Sequence, residues 1–118
     1  MKLDPELFKK ILEAYENLPY SPVGNEIEID GYSKDEVHYH QELLLDVEYI
    51  LAEKAAYVGG NVYIRPIRLT YAGHEFLNLS RNSQAWDKAK DIWSKAGGFV
   101  LGIAKELLIS LIRSQLNL

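Results

Sequence analysis

The chain has 118 residues, enough for one domain, and 47% of them are hydrophobic, enough to bury a sizeable core. It contains no cysteine, which excludes disulfides, thiolate metal sites and a cysteine nucleophile and fits a reducing compartment. The net charge of −4 hides a split: residues 1–50 carry four Lys against twelve acids, −8, while residues 51–118 carry nine Lys and Arg against five acids, +4. Two surfaces of opposite sign are therefore expected.

In chain order, Asp4 as N-cap and Pro5 as first helical residue open a helix over residues 5–17, with Leu7, Phe8, Ile11, Leu12 and Tyr15 on one apolar face. Residues 18–25, with two prolines and a glycine, end it. The alternation of Glu26-Ile27-Glu28-Ile29-Asp30 predicts a short half-buried strand. Ser33 and Glu36 form a capping box for a second helix reaching about Ile50. Its apolar face holds Val37, His40, Leu44, Val47 and Leu51, and its opposite face holds Asp35, His38, Glu42, Leu45 and Tyr49.

Ala55–Val58 and Asn61–Ile64 flank Gly59-Gly60, a hairpin signal, and the second arm runs on to Leu69 with Pro66 at an edge. Thr70 caps a third helix to about Arg81, and a fourth follows over residues 84–95, burying Trp86, Ala89 and Trp93. Gly97-Gly98 separates it from a last helix over residues 99–115. That Leu- and Ile-rich stretch is interrupted by Lys105, Glu106 and Arg113, which are costly in lipid, so it reads as amphipathic and not as a membrane span. Residues 1–10 carry Asp4 and Glu6 and lack the apolar run of a signal peptide.

Catalysis and metal binding have little support. His38 and His40 point about 200° apart on a helix and cannot chelate one ion, and His40 suits a hydrogen-bonded core position. Gly59-Gly60 lacks the Lys-Ser/Thr of a phosphate loop. No Ser or Thr lies in a nucleophile motif, and the paired Asp35-Glu36 sits on an exposed face. A non-enzymatic chain without cofactor or metal is expected.

Two stretches carry a resemblance. Tyr39-His40-Gln41-Glu42-Leu43-Leu44 with Tyr49-Ile50 resembles the end of a winged-helix recognition helix, and Arg68-Leu69-Thr70-Tyr71-Ala72-Gly73-His74-Glu75-Phe76-Leu77 resembles the segment that follows the wing. Together with Trp86-Asp87-Lys88-Ala89-Lys90 they are similar to an uncharacterised family, domain of unknown function 2513, common in phages and prophages of bacteria. The resemblance implies an α+β winged helix-turn-helix-like domain over residues 1–81, with the first helix of the pair reduced and a β-hairpin wing. A two-helix extension over residues 82–118 follows. It implies no activity, cofactor or catalytic residue. Glu48 departs from the pattern, which has glycine there.

Two functions follow for a protein of the bacterial cytoplasm. A DNA-binding transcriptional regulator would read duplex DNA with Lys34, His38 and Gln41 and hold phosphates with Arg65 and Arg68, helped by Arg81, Lys88 and Lys90. Against it, residues 33–50 carry one Lys against five acids, which repels phosphates. A protein-binding module, a phage adaptor or an inhibitor of a host or defence protein, would use Asp35, His38, Glu42 and Tyr49. The last helix is apolar over more than half its surface, so a homodimer through Ile103, Leu107, Leu111 and Ile112 is expected.

Overall fold

The computed structural model describes residues 1–20, 25–56 and 59–117. Among them run five helices and two strands: α1 Pro5–Glu16, α2 Lys34–Asp46, β1 Ile50–Ala56, β2 Val62–Leu69, α3 Tyr71–Ser80, α4 Ser83–Lys95 and α5 Leu101–Leu116. The fold is α+β, and helix, helix, antiparallel hairpin, helix is an order compatible with a winged helix. None of these helices is long and apolar enough to cross a membrane.

The first helix forms as its local signals predict. The Asp4 carboxylate accepts from the Glu6 and Leu7 amides at 2.9 and 3.4 Å, and the predicted face from Leu7 to Tyr15 is fully buried. The segment after it differs from expectation. Residues 25–30 form no strand, and the sheet is the β1–β2 pair alone. Ile27 and Ile29 still pack against the core. An alternating pattern reports which side chains are covered, and an extended segment laid along other elements covers alternate side chains without a ladder.

The second helix starts as predicted, with both halves of the Ser33–Glu36 capping box at 3.1 and 3.0 Å. It ends four residues early. Glu48 adopts φ 61°, its amide donates to the Leu45 carbonyl at 3.0 Å, and the Tyr49 amide donates to the Leu44 carbonyl at 2.9 Å. This is a Schellman exit made without glycine. It releases the chain into β1, so Leu51, expected on the helical face, lies on a strand and is exposed.

The hairpin pairs Ile50 with Leu69 and Ala56 with Val62, with a register shift that leaves Ile67 unpaired beside Pro66. Tyr57 and Val58, part of the predicted first arm, lie outside the described residues. Gly59 and Gly60 take φ of 108° and 86°, as the predicted turn requires. Residues 21–24, part of the predicted break after α1, also lie outside the described residues.

The core is one cluster fed by α1, α2, the hairpin and α3 to α5. A line of rings ties it together: His40 to Phe8 at 4.6 Å, Phe8 to Phe99 at 5.4 Å, Phe99 to Trp93 at 4.5 Å, Trp93 to Trp86 at 5.6 Å and Trp86 to Phe76 at 6.4 Å. Trp86, Ala89 and Trp93 are buried as predicted. Residues 82–117 thus share the hydrophobic core of residues 1–81.

Candidate functional site

The outward side of α2 leaves charge uncovered. Asp35, Tyr39, Glu42 and Asp46 recur at intervals of four, three and four residues and so line one stripe. Asp35, Tyr39 and Asp46 are exposed and Glu42 is half-exposed. Among the described residues, the only ion pair on this stripe joins Glu42 to Lys54 of β1, at 3.8 Å. The inward side buries Val37, His40, Gln41 and Leu44.

His40 shows how tightly the inward side is held. Its Nε2 accepts from the Asp4 amide at 3.0 Å, and its Nδ1 lies 2.8 Å from the Glu36 carbonyl. The imidazole is therefore the neutral Nδ1–H tautomer, a core histidine that fixes the start of α1 to α2. His38 points elsewhere, to Glu26.

Residues 25–32 run beside the first half of α2. The Glu26 carboxylate meets His38 Nε2 at 3.0 Å and Lys34 Nζ at 3.3 Å. The Tyr32 hydroxyl donates to Asp4 at 2.9 Å. Its burial and this carboxylate push the phenol up to about 12. Ile27, Ile29, Tyr32 and Val37 line an open cleft of about 320 Å³ that Glu26 and Glu28 edge with carboxylates. Residues 25–48 hold eight acids and one lysine, and acids edge both the stripe and the cleft.

The residues expected to touch DNA do not gather into a basic site. Gln41 is fully buried, its Oε1 accepting from the Tyr15 hydroxyl at 2.7 Å. It cannot reach a base edge, which corrects the expectation. Lys34 and His38 face Glu26. Arg65 is paired with Glu53 across the hairpin, and Arg68 is exposed but donates to the Leu69 carbonyl at 2.8 Å. Of the supporting residues, Arg81 forks onto Glu16 and Lys90 meets Glu6 at 2.6 Å. Among the described residues, seven of the chain's thirteen Lys and Arg face a carboxylate.

The protein-binding set fares differently. Asp35 and Glu42 lie on the stripe, and His38 lies beside the cleft. Tyr49 does not join them: its ring packs on Phe76 at 5.3 Å, and burial, with Glu106 and Glu75 nearby, raises its phenol. Sequence reasoning omitted Tyr39 and Asp46 from the set, although their spacing was visible. It also missed Glu26 as the partner of Lys34 and His38, because that contact depends on where residues 25–32 lie. Of the dimer set, Ile103 is 61% exposed, while Leu107, Leu111 and Ile112 are partly buried against the monomer's own core.

The stretch from Arg68 to Leu77 proves to be a clamp. The Thr70 hydroxyl accepts from the Gly73 amide at 3.1 Å, capping α3, and donates to the Glu48 carbonyl at 2.6 Å. The Thr70 amide donates to the Tyr49 carbonyl at 3.1 Å. A Cβ at Gly73 would stand 2.0 Å from that carbonyl oxygen, so only glycine lets α3 close on the exit of α2.

The chain is thus a small α+β domain with an acidic helical face and a glycine-dependent clamp. A family model described as "Hypothetical protein (DUF2513)" matches residues 2–99, and the chain belongs to this family, whose function is unknown. Neither the curated proteins nor the solved structures gave a match.

Proposed function

We propose that this domain is a non-enzymatic protein-binding module: a winged-helix-like scaffold of phage or prophage origin that docks a basic surface of a host or phage protein in the bacterial cytoplasm. The observation that carries this reading is the exposed stripe of Asp35, Tyr39, Glu42 and Asp46, which has one long ion pair to set against its three carboxylates. Tyr39 supplies an aromatic anchor in the middle of the stripe, and aromatic anchors ringed by complementary charge are common at interface centres. The other function, a DNA-binding regulator, has weaker support. A helix placed in the major groove with these carboxylates outward meets phosphate repulsion, and most of the basic residues near it already face acids.

The test is a salt titration with two probes, an Arg- and Lys-rich peptide and random-sequence duplex DNA, read by fluorescence anisotropy. The peptide is expected to bind at low salt and weaken as salt rises. The double variant Asp35→Lys/Asp46→Lys loses that binding and keeps its melting temperature, while the control Glu13→Lys on α1 keeps both. Salt-steep binding to the duplex, with no preference for the peptide, would overturn the proposal in favour of the DNA-binding regulator.

A further inference from the structure

We infer that the outward face of α5 is a self-association surface on which a second copy of this chain packs antiparallel. Glu106 and Arg113 are both exposed, and neither has an ion-pair partner among the described residues. They are seven residues apart, two helical turns, so they project from the same side of α5. Between them runs an open groove of about 710 Å³ lined by Glu106, Ile109, Ser110, Arg113 and Ser114. Ile103 and Leu116, each 61% exposed, flank it at the two ends.

This pattern is complementary to its own reverse. A two-fold axis passing beside α5 between Ile109 and Ser110 sets Glu106 of one copy opposite Arg113 of the other, twice over. It also covers Ile103 and Leu116 on either side of the seam. A parallel pairing would set Glu106 against Glu106 and Arg113 against Arg113, so the charges select the antiparallel arrangement. Because Leu107, Leu111 and Ile112 already pack on the monomer core, one helical ridge carries the contact. Such a ridge is smaller than the roughly 800 Å² per partner of a standard interface, so the dimer is concentration-dependent and not obligate.

Sedimentation equilibrium of the full chain across a range of concentrations tests this. The wild type shifts from monomer to dimer. Glu106→Arg and Arg113→Glu, each alone, bring like charges together and weaken self-association about tenfold. The double swap Glu106→Arg/Arg113→Glu restores it. Both positions are solvent-facing, so melting temperatures stay close to wild type and a folding defect is separable from a lost interface. A monomer at every concentration, or an assembly indifferent to the single reversals, would overturn the inference. Either result leaves the acidic-face reading of α2 untouched.

Discussion

The exit of α2 and its outward stripe are built from the same helix and treated in opposite ways. At the exit, backbone and side-chain groups are paired within the protein: the Leu44, Leu45, Glu48 and Tyr49 carbonyls all have donors, and Thr70 and Gly73 bring α3 directly onto them. Along the stripe, Asp35 and Asp46 face water with no ion pair among the described residues. The difference teaches that Thr70 and Gly73, in the stretch that carries the sequence resemblance, hold the architecture together. The surface that is free to meet something else is written in ordinary-looking acids.

The largest effect should come from breaking the clamp. Gly73→Ala places a methyl 2.0 Å from the Tyr49 carbonyl oxygen, and that neighbour is backbone, not a side chain that can swing away. The first turn of α3 must move, which also lengthens the Thr70 hydrogen bonds to Glu48 and Tyr49. A loss of about 3 kcal/mol is expected in denaturant unfolding, at the upper end for an overpacked site. A loss below about 1 kcal/mol would mean that α3 is not pressed on this carbonyl, and the contrast with the stripe would fail.

Next comes the exit turn itself. Glu48 sits at φ 61°, a conformation that costs a residue with a Cβ about 1–2 kcal/mol and costs glycine little. Glu48→Gly should therefore stabilise the domain by about 1 kcal/mol, since the backbone carbonyl that Thr70 uses remains and the carboxylate has no ion pair in the described residues. Glu48→Ala should give far less. This pair of variants separates backbone strain from charge, because both remove the carboxylate and only one relieves the φ.

Much of the fold was legible where its determinants are local. Asp4, Pro5 and the five-residue apolar face fixed α1, and the Ser33–Glu36 box fixed the start of α2. The end of α2 was hidden because the left-handed residue is Glu48, and glycine is the signal a reader looks for. The strand over residues 26–30 was misread because alternation does not say whether the cover is a neighbouring strand or a helix. The candidate site was half legible. The stripe spacing can be counted in the sequence, but burial of Gln41 depends on Tyr15, 26 residues away, and pairing of Lys90 depends on Glu6, 84 residues away.

A smaller effect should appear in acid. Burial pushes the Glu6 carboxyl up, but the hydrogen bonds from Lys90 and Trp86, at 2.6 and 2.7 Å, outweigh it and hold the carboxyl below its ordinary value of 4.5. A group whose folded value is depressed stabilises the protein above its unfolded value and loses that contribution as pH falls through the folded one. The melting temperature of the wild type should therefore fall below about pH 4.5 more steeply than that of Glu6→Gln. The side chain is 38% exposed, so the difference is under about 1 kcal/mol.

The smallest expected change sharpens the comparison most. Asp46 is the last residue of α2, and no basic residue lies in that final turn. Its carboxylate therefore faces the negative end of the helix dipole, an arrangement that costs a few tenths of a kcal/mol to about 1 kcal/mol. Asp46→Asn should raise stability by that amount in thermal unfolding, with nothing else in the fold disturbed, because the side chain is exposed. The same substitution should weaken binding of the basic peptide. A carboxylate kept where the fold would be better without it is what a contact surface produces when stability and recognition compete. If Asp46→Asn instead destabilises the domain, the residue serves the fold, and the outward stripe loses one end.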